Sequence, residues 1–398
     1  MDFVTRTAVS TIALGLVLFP AGRAAAQYQA TDLSPTYLTD QFPASANGTA
    51  GGQQAGRAYG STFGGDGHAA LWSGSSSSFV DLNPIGYSKS QVEAISGGQE
   101  AGYGSGTASG GQIHALLWSG SAASAADLNP TSLSETYTYS QVEGIGGGQQ
   151  VGFGQGNSTH ALLWSGTAAS AVDLNPASVL YSEALATSGV HQVGYAEGIY
   201  TTGQTSHAIE WSGTAATARD INPDGAGSSQ ANAISGDMAA GQAVFKTGSN
   251  SYKTDATLWS LTGGIGGTPT VQDLNPTGYE FSRGTGIFGT DVVGTGKING
   301  SDHALLWHGS ASNYVDLNQF LPAGYSDAFA QGIDANGDIV GVAFTATGNQ
   351  GVFGTPHAFL WRSSPVPETS SAVSLGFLLA LGLGGVFLAR KRKVLLTA

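Results

Sequence analysis

Short stretches in which apolar and polar residues alternate recur along this chain, each ended by a cluster of Gly, Asn or Ser. In His160-Ala161-Leu162-Leu163-Trp164, residues 160, 162 and 164 share one face of an extended strand, and in Ala171-Val172-Asp173-Leu174 so do Val172 and Leu174. Two more candidates precede each such pair. One example is Ala94-Ile95-Ser96, a Gly-Gly turn, then Glu100-Ala101-Gly102-Tyr103-Gly104. Gly144-Ile145 with Val151-Gly152-Phe153, and Gly332-Ile333 with Ile339-Val340-Gly341, are equivalents. The pattern predicts units of four short strands and an all-β fold.

The unit repeats. Every Trp of the chain falls in one motif: His68-Ala-Ala-Leu-Trp72, His114-Ala-Leu-Leu-Trp118, His160-Ala-Leu-Leu-Trp164 and His207-Ala-Ile-Glu-Trp211. Asp255-Ala-Thr-Leu-Trp259, His303-Ala-Leu-Leu-Trp307 and His357-Ala-Phe-Leu-Trp361 complete the set. The Trp-to-Trp steps are 46, 46, 47, 48, 48 and 54 residues, the period of a propeller blade. A second element follows the first three copies as Asp81-Leu-Asn-Pro84, Asp127-Leu-Asn-Pro130 and Asp173-Leu-Asn-Pro176. The next three carry Asp220-Ile-Asn-Pro223, Asp273-Leu-Asn-Pro276 and Asp316-Leu-Asn-Gln319. Proline cannot continue a hydrogen-bonded ladder, so it ends the strand. Four strands in each of seven repeats predict a seven-bladed β-propeller over residues 27–364. The seventh copy lacks the Asp-Leu-Asn-Pro element, while an orphan Asp32-Leu33-Ser34-Pro35 stands near the N-terminus. Asp32 is therefore expected to lie in a strand that completes the last blade and removes the open edges of the ring. A linear solenoid is the competing arrangement and would need caps that the sequence does not show.

Composition agrees. Of 398 residues 61 are Gly, about twice the usual ~7%, which disfavours helices. Charged residues make up 10% and hydrophobic ones 41%, too apolar for a disordered chain. Cys is absent, so disulfides and thiolate chemistry are excluded. The formal net charge is −13, and no basic footprint for nucleic acid is present.

Both ends read as addresses. Residues 1–26 have the form of a signal peptide: Arg6, an apolar stretch from Ile12 to Pro20, and the small-x-small site Ala24-Ala25-Ala26, so that the mature chain would start at Gln27. Residues 365–398 hold Val366-Pro367-Glu368-Thr369, then a 19-residue apolar run over 371–389 and the basic cluster 390–393. As a helix the run would reach about 28 Å, enough for a bilayer core, with the basic cluster held in the cytoplasm. Without the first 26 residues and the basic cluster, the chain keeps 8 basic and 26 acidic residues, a net charge of −18.

The order of motif, span and basic cluster resembles the PEP-CTERM sorting signal of Gram-negative bacteria. Val366, Pro367 and Glu368 match the usual Val-Pro-Glu-Pro, and Thr369 departs from it. The resemblance implies processing by signal peptidase and an exosortase, with inner-membrane anchoring before passage to the cell surface or exterior. The repeats resemble the extracellular HAF-repeat family, named for a His-Ala-Phe triplet that His357-Ala358-Phe359 reproduces. That resemblance covers roughly 30–365 and implies export and a propeller-like repeat, but no known activity.

Recurrent His, Trp and Asp invite a metal or catalytic reading. One set per blade, spread round a ring, fits better with a structural role in which His68, Trp72 and Asp81 and their equivalents share hydrogen bonds. Asp255 in place of His agrees with this. Asp334-Ala-Asn336-Gly337-Asp338 resembles part of a calcium loop but lacks the later Glu, and a hairpin turn is expected. His191 and His308 lie outside the motif and are expected at the surface. Asn47-Gly-Thr49 and Asn157-Ser-Thr159 match glycosylation acceptors. No phosphate loop, nucleophile elbow, zinc-protease or dinucleotide motif occurs. No catalytic residue, metal site or cofactor is therefore assigned. The expected function is a non-catalytic exported surface or matrix protein of a biofilm or envelope, not an enzyme. The alternative is a propeller module that binds neutral glycans or other surface proteins, with Tyr87, Tyr137, Tyr139 and Tyr181 available to stack on sugars. A polysaccharide-active enzyme is the third option. It would need carboxylates facing one another across the central channel, and the sequence shows no such pair.

Overall fold

The structure is a computed structural model, and it describes residues 27–35, 44–60, 66–177, 179–198, 205–249, 251–263, 267–347 and 352–364. The signal-cleavage residues Ala24 and Ala26, the motif Val366-Pro367-Glu368 and the tail span lie outside the described residues. Among the described residues no helix is long and apolar enough to cross a membrane.

The alternating segments form strands throughout, linked by turns and short 3-10 segments. They assemble into five four-stranded antiparallel sheets and one eight-stranded sheet. The larger sheet is two consecutive four-strand sets joined by a single parallel bridge, Thr159 to Tyr181. Strand order follows the chain in every set but the one that holds Trp361. The set holding Trp118, for example, runs Tyr87–Ser96, Gln99–Gly106, Ile113–Trp118 and Ala126–Asp127. Each Trp lies in the third strand of its set, and the sets are named below by their tryptophans.

The Trp361 set has three strands from the C-terminal end, Tyr325–Ile333, Ile339–Thr345 and Pro356–Ser364. Its fourth is Gln27–Asp32, from the other end of the described chain. Leu33 N–H donates to Ala358 O at 2.8 Å, and Leu33 is fully buried. The strand Ala44–Ala50 of the Trp72 set packs on Tyr325–Ile333 and Ile339–Thr345. The two ends of the repeat array therefore meet and the ring closes.

The core lies between sets. Each hydrophobic cluster joins the Leu or Ile of one Asp-Leu-Asn element to the Trp of the next set: Leu33 with Trp72, Leu82 with Trp118 and Leu128 with Trp164. Leu174 with Trp211, Ile221 with Trp259, Leu274 with Trp307 and Leu317 with Trp361 continue the series. This packing explains why the two motifs travel together in the sequence. The Trp indoles are buried. Trp259 Nε1–H reaches Ile221 O at 2.9 Å, and the other six Trp Nε1 atoms have no partner among the described residues. The tryptophans therefore act by packing and stand apart from the His–Asp hydrogen bonds they were expected to share.

Two backbone features shape the inner wall. Tight hairpins need positive φ at both central residues, which Gly51-Gly52 supply at 59° and 82°. Just upstream, every first strand has a bulge: the register slips between Ala46 and Gly48, Val92 and Ala94, Val142 and Gly144, and Ala184 and Ala186. It also slips between Ala231 and Ala233, Gly284 and Gly286, and Ala330 and Gly332. A glycine of the second strand faces each bulge at very close range. A Cβ on Gly102, Gly152 or Gly294 would sit 2.1, 1.9 and 1.9 Å from the first-strand carbonyl oxygens of Gln91, Gln141 and Arg283.

Candidate functional site

The bulges place one extra residue per set at the centre of the ring: Asn47, Glu93, Glu143, Leu185, Asn232, Thr285 and Gln331. These seven, with Gln91, Gln230 and Arg283, line a cavity of about 450 Å³. Bulges commonly re-aim side chains beside functional sites, and here they build a polar throat. Three of its side chains also tie neighbouring sets together. Asn47 Nδ2 donates to Val92 O at 2.8 Å, Asn232 Nδ2 to Gly284 O at 2.8 Å, and Thr285 Oγ1 to Ala330 O at 2.6 Å. Beyond the throat the lining passes to Ile95, Ile145, Ile234, Ile287 and Ile333, with Thr49 and Thr187 at the equivalent places of the other two sets.

The throat is chemically uneven. Gln91 Nε2 donates to Glu93 Oε1 at 2.6 Å, and Asn47 Nδ2 to Glu93 Oε2 at 3.2 Å. Gln141 Nε2 donates to Glu143 Oε1 at 2.7 Å, and Gln141 Oε1 accepts from the Tyr139 hydroxyl at 2.8 Å. Tyr181 donates to Glu183. Three carboxylates thus occupy one arc. Burial pushes Glu93 up to about 7, against its bonds from Gln91 and Asn47 and the charge of Arg57. Burial likewise holds Glu143 well above the usual carboxylate range, helped by the charges of Glu93 and Glu183, and it raises Glu183 as well. Arg283 lies two sets beyond Glu183, its value lowered by burial and its Nε without a partner among the described residues. Beside the carboxylates, Tyr139 stacks on Phe153 with centroids 5.7 Å apart, and Tyr181 packs on Tyr195 at 5.9 Å.

The motif residues lie elsewhere in each set. His68 Nδ1 meets Asp81 Oδ2 at 2.9 Å, His114 meets Asp127 at 2.7 Å, and His160 meets Asp173 at 2.8 Å. His207 pairs with Asp220 at 2.7 Å, His303 with Asp316 at 2.7 Å, and His357 with Asp32 across the closure at 2.8 Å. Where Asp255 replaces the His, Lys253 Nζ covers it at 2.8 Å. Burial and the Asp255 charge together raise Asp273. The other oxygen of each Asp caps a turn, as Asp81 Oδ1 does for Asn83 N–H at 2.8 Å. The Asn then links sets: Ser90 Oγ donates to Asn83 Oδ1 at 2.6 Å and accepts Ala69 N–H at 3.0 Å.

Several expectations change. His191 is buried, not at the surface, with Nδ1 2.7 Å from the fully buried Glu210, which also pairs with Arg219. His308 is exposed but paired with Asp291 at 2.9 Å. Tyr137 is buried, its hydroxyl 3.2 Å from His160, so it offers no free stacking face, while Tyr87 is half-buried with its hydroxyl 3.4 Å from Asp127. Tyr139 and Tyr181 do sit on the channel strands. In the suspected calcium loop, Asp334 caps Asn336 N–H at 2.8 Å and the Arg362 guanidinium neutralises Asp338 at 2.6 Å, which makes it a turn. The carboxylates missing from the sequence reading are Glu93, Glu143 and Glu183. The only local signal was the doubled Ser-Gln-Val-Glu at 90–93 and 140–143.

No protein-family model and no curated protein sequence matches the chain. Solved structures do. The β-propeller domain of the trilobed protease from Pyrococcus furiosus is 12% identical, with 80% of this chain and 95% of that one covered and a TM-score of 0.52. That domain has an open velcro topology, whereas here the strand Gln27–Asp32 closes the last sheet. A puromycin-hydrolyzing peptidase from Mycobacterium tuberculosis is 12% identical with a TM-score of 0.52, over 78% of this chain. The match spans only 50% of that peptidase. A puromycin hydrolase is 11% identical at a TM-score of 0.50 and is covered over 51%. The chain is thus an all-β protein of the propeller class.

These likenesses correct the expected function. A non-catalytic surface or matrix protein, and a chain that is not an enzyme, were inferred from absent local motifs. The propellers it matches belong to a protease and to puromycin hydrolases. Groups assembled from separate strands leave no local motif, and a fold excludes no activity.

Proposed function

We propose that this protein is a seven-bladed propeller whose central channel binds uncharged saccharide. The supporting observation is the pairing of planar hydrogen-bonding groups with aromatic rings on one arc. Glu93, Gln91, Glu143 and Gln141 are arranged to meet vicinal hydroxyls, and the Tyr139–Phe153 and Tyr181–Tyr195 pairs offer faces for sugar C–H groups. A polyanionic glycan fits poorly beside three carboxylates. The likeness to peptidase propellers favours a second reading, a peptide in the same channel, and Arg283 would suit its carboxylate. Glycan-array binding by the protein starting at Gln27, alongside a Gln141→Ala and Tyr139→Ala pair, tests the proposal. Saccharide binding lost in both variants supports it. Binding unaffected by both, or peptides retained and glycans ignored, refutes it.

The resemblance of the repeats to the HAF family and of the tail to PEP-CTERM signals supports a location outside the inner membrane, after processing by signal peptidase and an exosortase. Intact mass of the native protein in extracellular and membrane fractions checks this. A species starting at Gln27 and lacking the tail is expected outside the membrane, and a full-length chain confined to the membrane would overturn it.

A further inference from the structure

One His–Asp pair has a serine hydroxyl on the second imidazole nitrogen. In the Trp164 set, His160 Nδ1 lies 2.8 Å from Asp173 Oδ2, and its other nitrogen, Nε2, lies 2.9 Å from the Ser158 hydroxyl. Ser158 lies in the bend just before the strand Thr159–Trp164, and the bend brings its hydroxyl to the imidazole two residues on. At the position of Ser158 the other sets carry Asp66, Gln112, Thr205, Lys253, Ser301 and Thr355. With Asp173 accepting from Nδ1–H, the Nε2 lone pair is left to receive the serine proton. Glu135 Oε2 is 3.8 Å from the same Nδ1, so two carboxylates would stabilise the imidazolium that results. Ser158 and His160 are part-exposed, and Asn157 beside them is exposed. Hydroxyl, imidazole and carboxylate therefore stand in the order that activates a serine, an arrangement recognised by geometry and not by chain order.

From this geometry we infer that Ser158 is an activated nucleophile toward esters, with His160 as its base and Asp173 orienting the imidazole. Ser158 Oγ would bond to the ester carbonyl carbon while its proton passes to His160 Nε2. The bond from that carbon to the alcohol oxygen then breaks, and the alcohol leaves with the proton. Water adds to the acyl-serine, giving its proton to Nε2. The carboxylic acid departs and Ser158 recovers its hydrogen. This site is separate from the channel.

The test is labelling of the whole protein by diisopropyl fluorophosphate with peptide mapping, run beside hydrolysis of p-nitrophenyl acetate. Phosphorylation of Ser158 is expected, lost in Ser158→Ala. Acetate turnover should fall about 100-fold or more in Ser158→Ala and in His160→Gln. Unlabelled Ser158, or turnover unchanged in a Ser158→Ala protein with the parent melting temperature, overturns the inference. If Ser158→Ala does not fold, competition between p-nitrophenyl acetate and the label on the parent protein decides, and absence of competition counts against it. Saccharide binding should be the same in Ser158→Ala and parent, so failure here leaves the channel reading standing.

Discussion

Replacing Glu93 by Gln separates the cost of an ionised carboxylate in the throat from the bonds that hold it. A folded value of about 7 against an ordinary 4.5 corresponds to about 3 kcal/mol, at about 1.4 kcal/mol for each tenfold step. Because the folded value is raised, the native state holds the proton more tightly than the unfolded chain. Folding is penalised progressively as pH rises from 4.5, and in full above about 7. Glutamine carries no such charge. It keeps one acceptor oxygen, so one of the bonds from Gln91 and Asn47 is lost at every pH, a cost of about 1 kcal/mol. Glu93→Gln should therefore be about 1 kcal/mol less stable than the parent near pH 4 and about 2 kcal/mol more stable near pH 8. The 336 residues of Tyr28–Ser363 imply an unfolding entropy of about 0.7 kcal/mol/K, so the swing in melting temperature is roughly 4 °C. Thermal melts of both proteins across pH 4 to 9 read it directly. A difference that does not change with pH, or a variant less stable than the parent at pH 8, would refute the account of a strained carboxylate.

Other perturbations test the frame. Gly152→Ala places a Cβ 1.9 Å from the Gln141 carbonyl oxygen, so a loss of about 1–3 kcal/mol is expected in urea melts. Leu33→Ala empties a fully buried site at the closure and should cost about 2–5 kcal/mol; a change within error would mean that the N-terminal strand does not close the ring. Asp255→His restores the His–Asp pair of the other sets and removes the charge that raises Asp273. It should stabilise the protein by about 1 kcal/mol near pH 6 in thermal melts.

The frame was legible because each rule left a local mark: Trp and Asp-Leu-Asn at a fixed period, Gly pairs at hairpins, Pro at strand ends. Even the closure could be read, from Asp32-Leu33 standing alone. The throat was not legible. Alternation assigns Glu93 and Glu143 to a face of a strand, but only the bulge decides that this face looks into the channel, and a bulge is a relation between two strands. His191 misled for a similar reason. Its partner Glu210 occupies a place where the other sets have an apolar residue, and Arg219 compensates from the adjacent strand.

The closing pair His357–Asp32 spans 325 residues of sequence. Almost all other pairing here is between neighbouring segments, which can form within microseconds of becoming available. Closure alone must wait until the last set has emerged, and it carries the loop-entropy cost of nearly the whole chain. Until then the partial ring presents two unpaired sheet edges and an uncovered apolar flank at Trp72. A chain emerging at about 5–20 residues per second would spend tens of seconds in that state. The last step of folding is thus also the one that ends exposure to aggregation, and weakening the clasp lengthens that window even where the finished ring is stable enough.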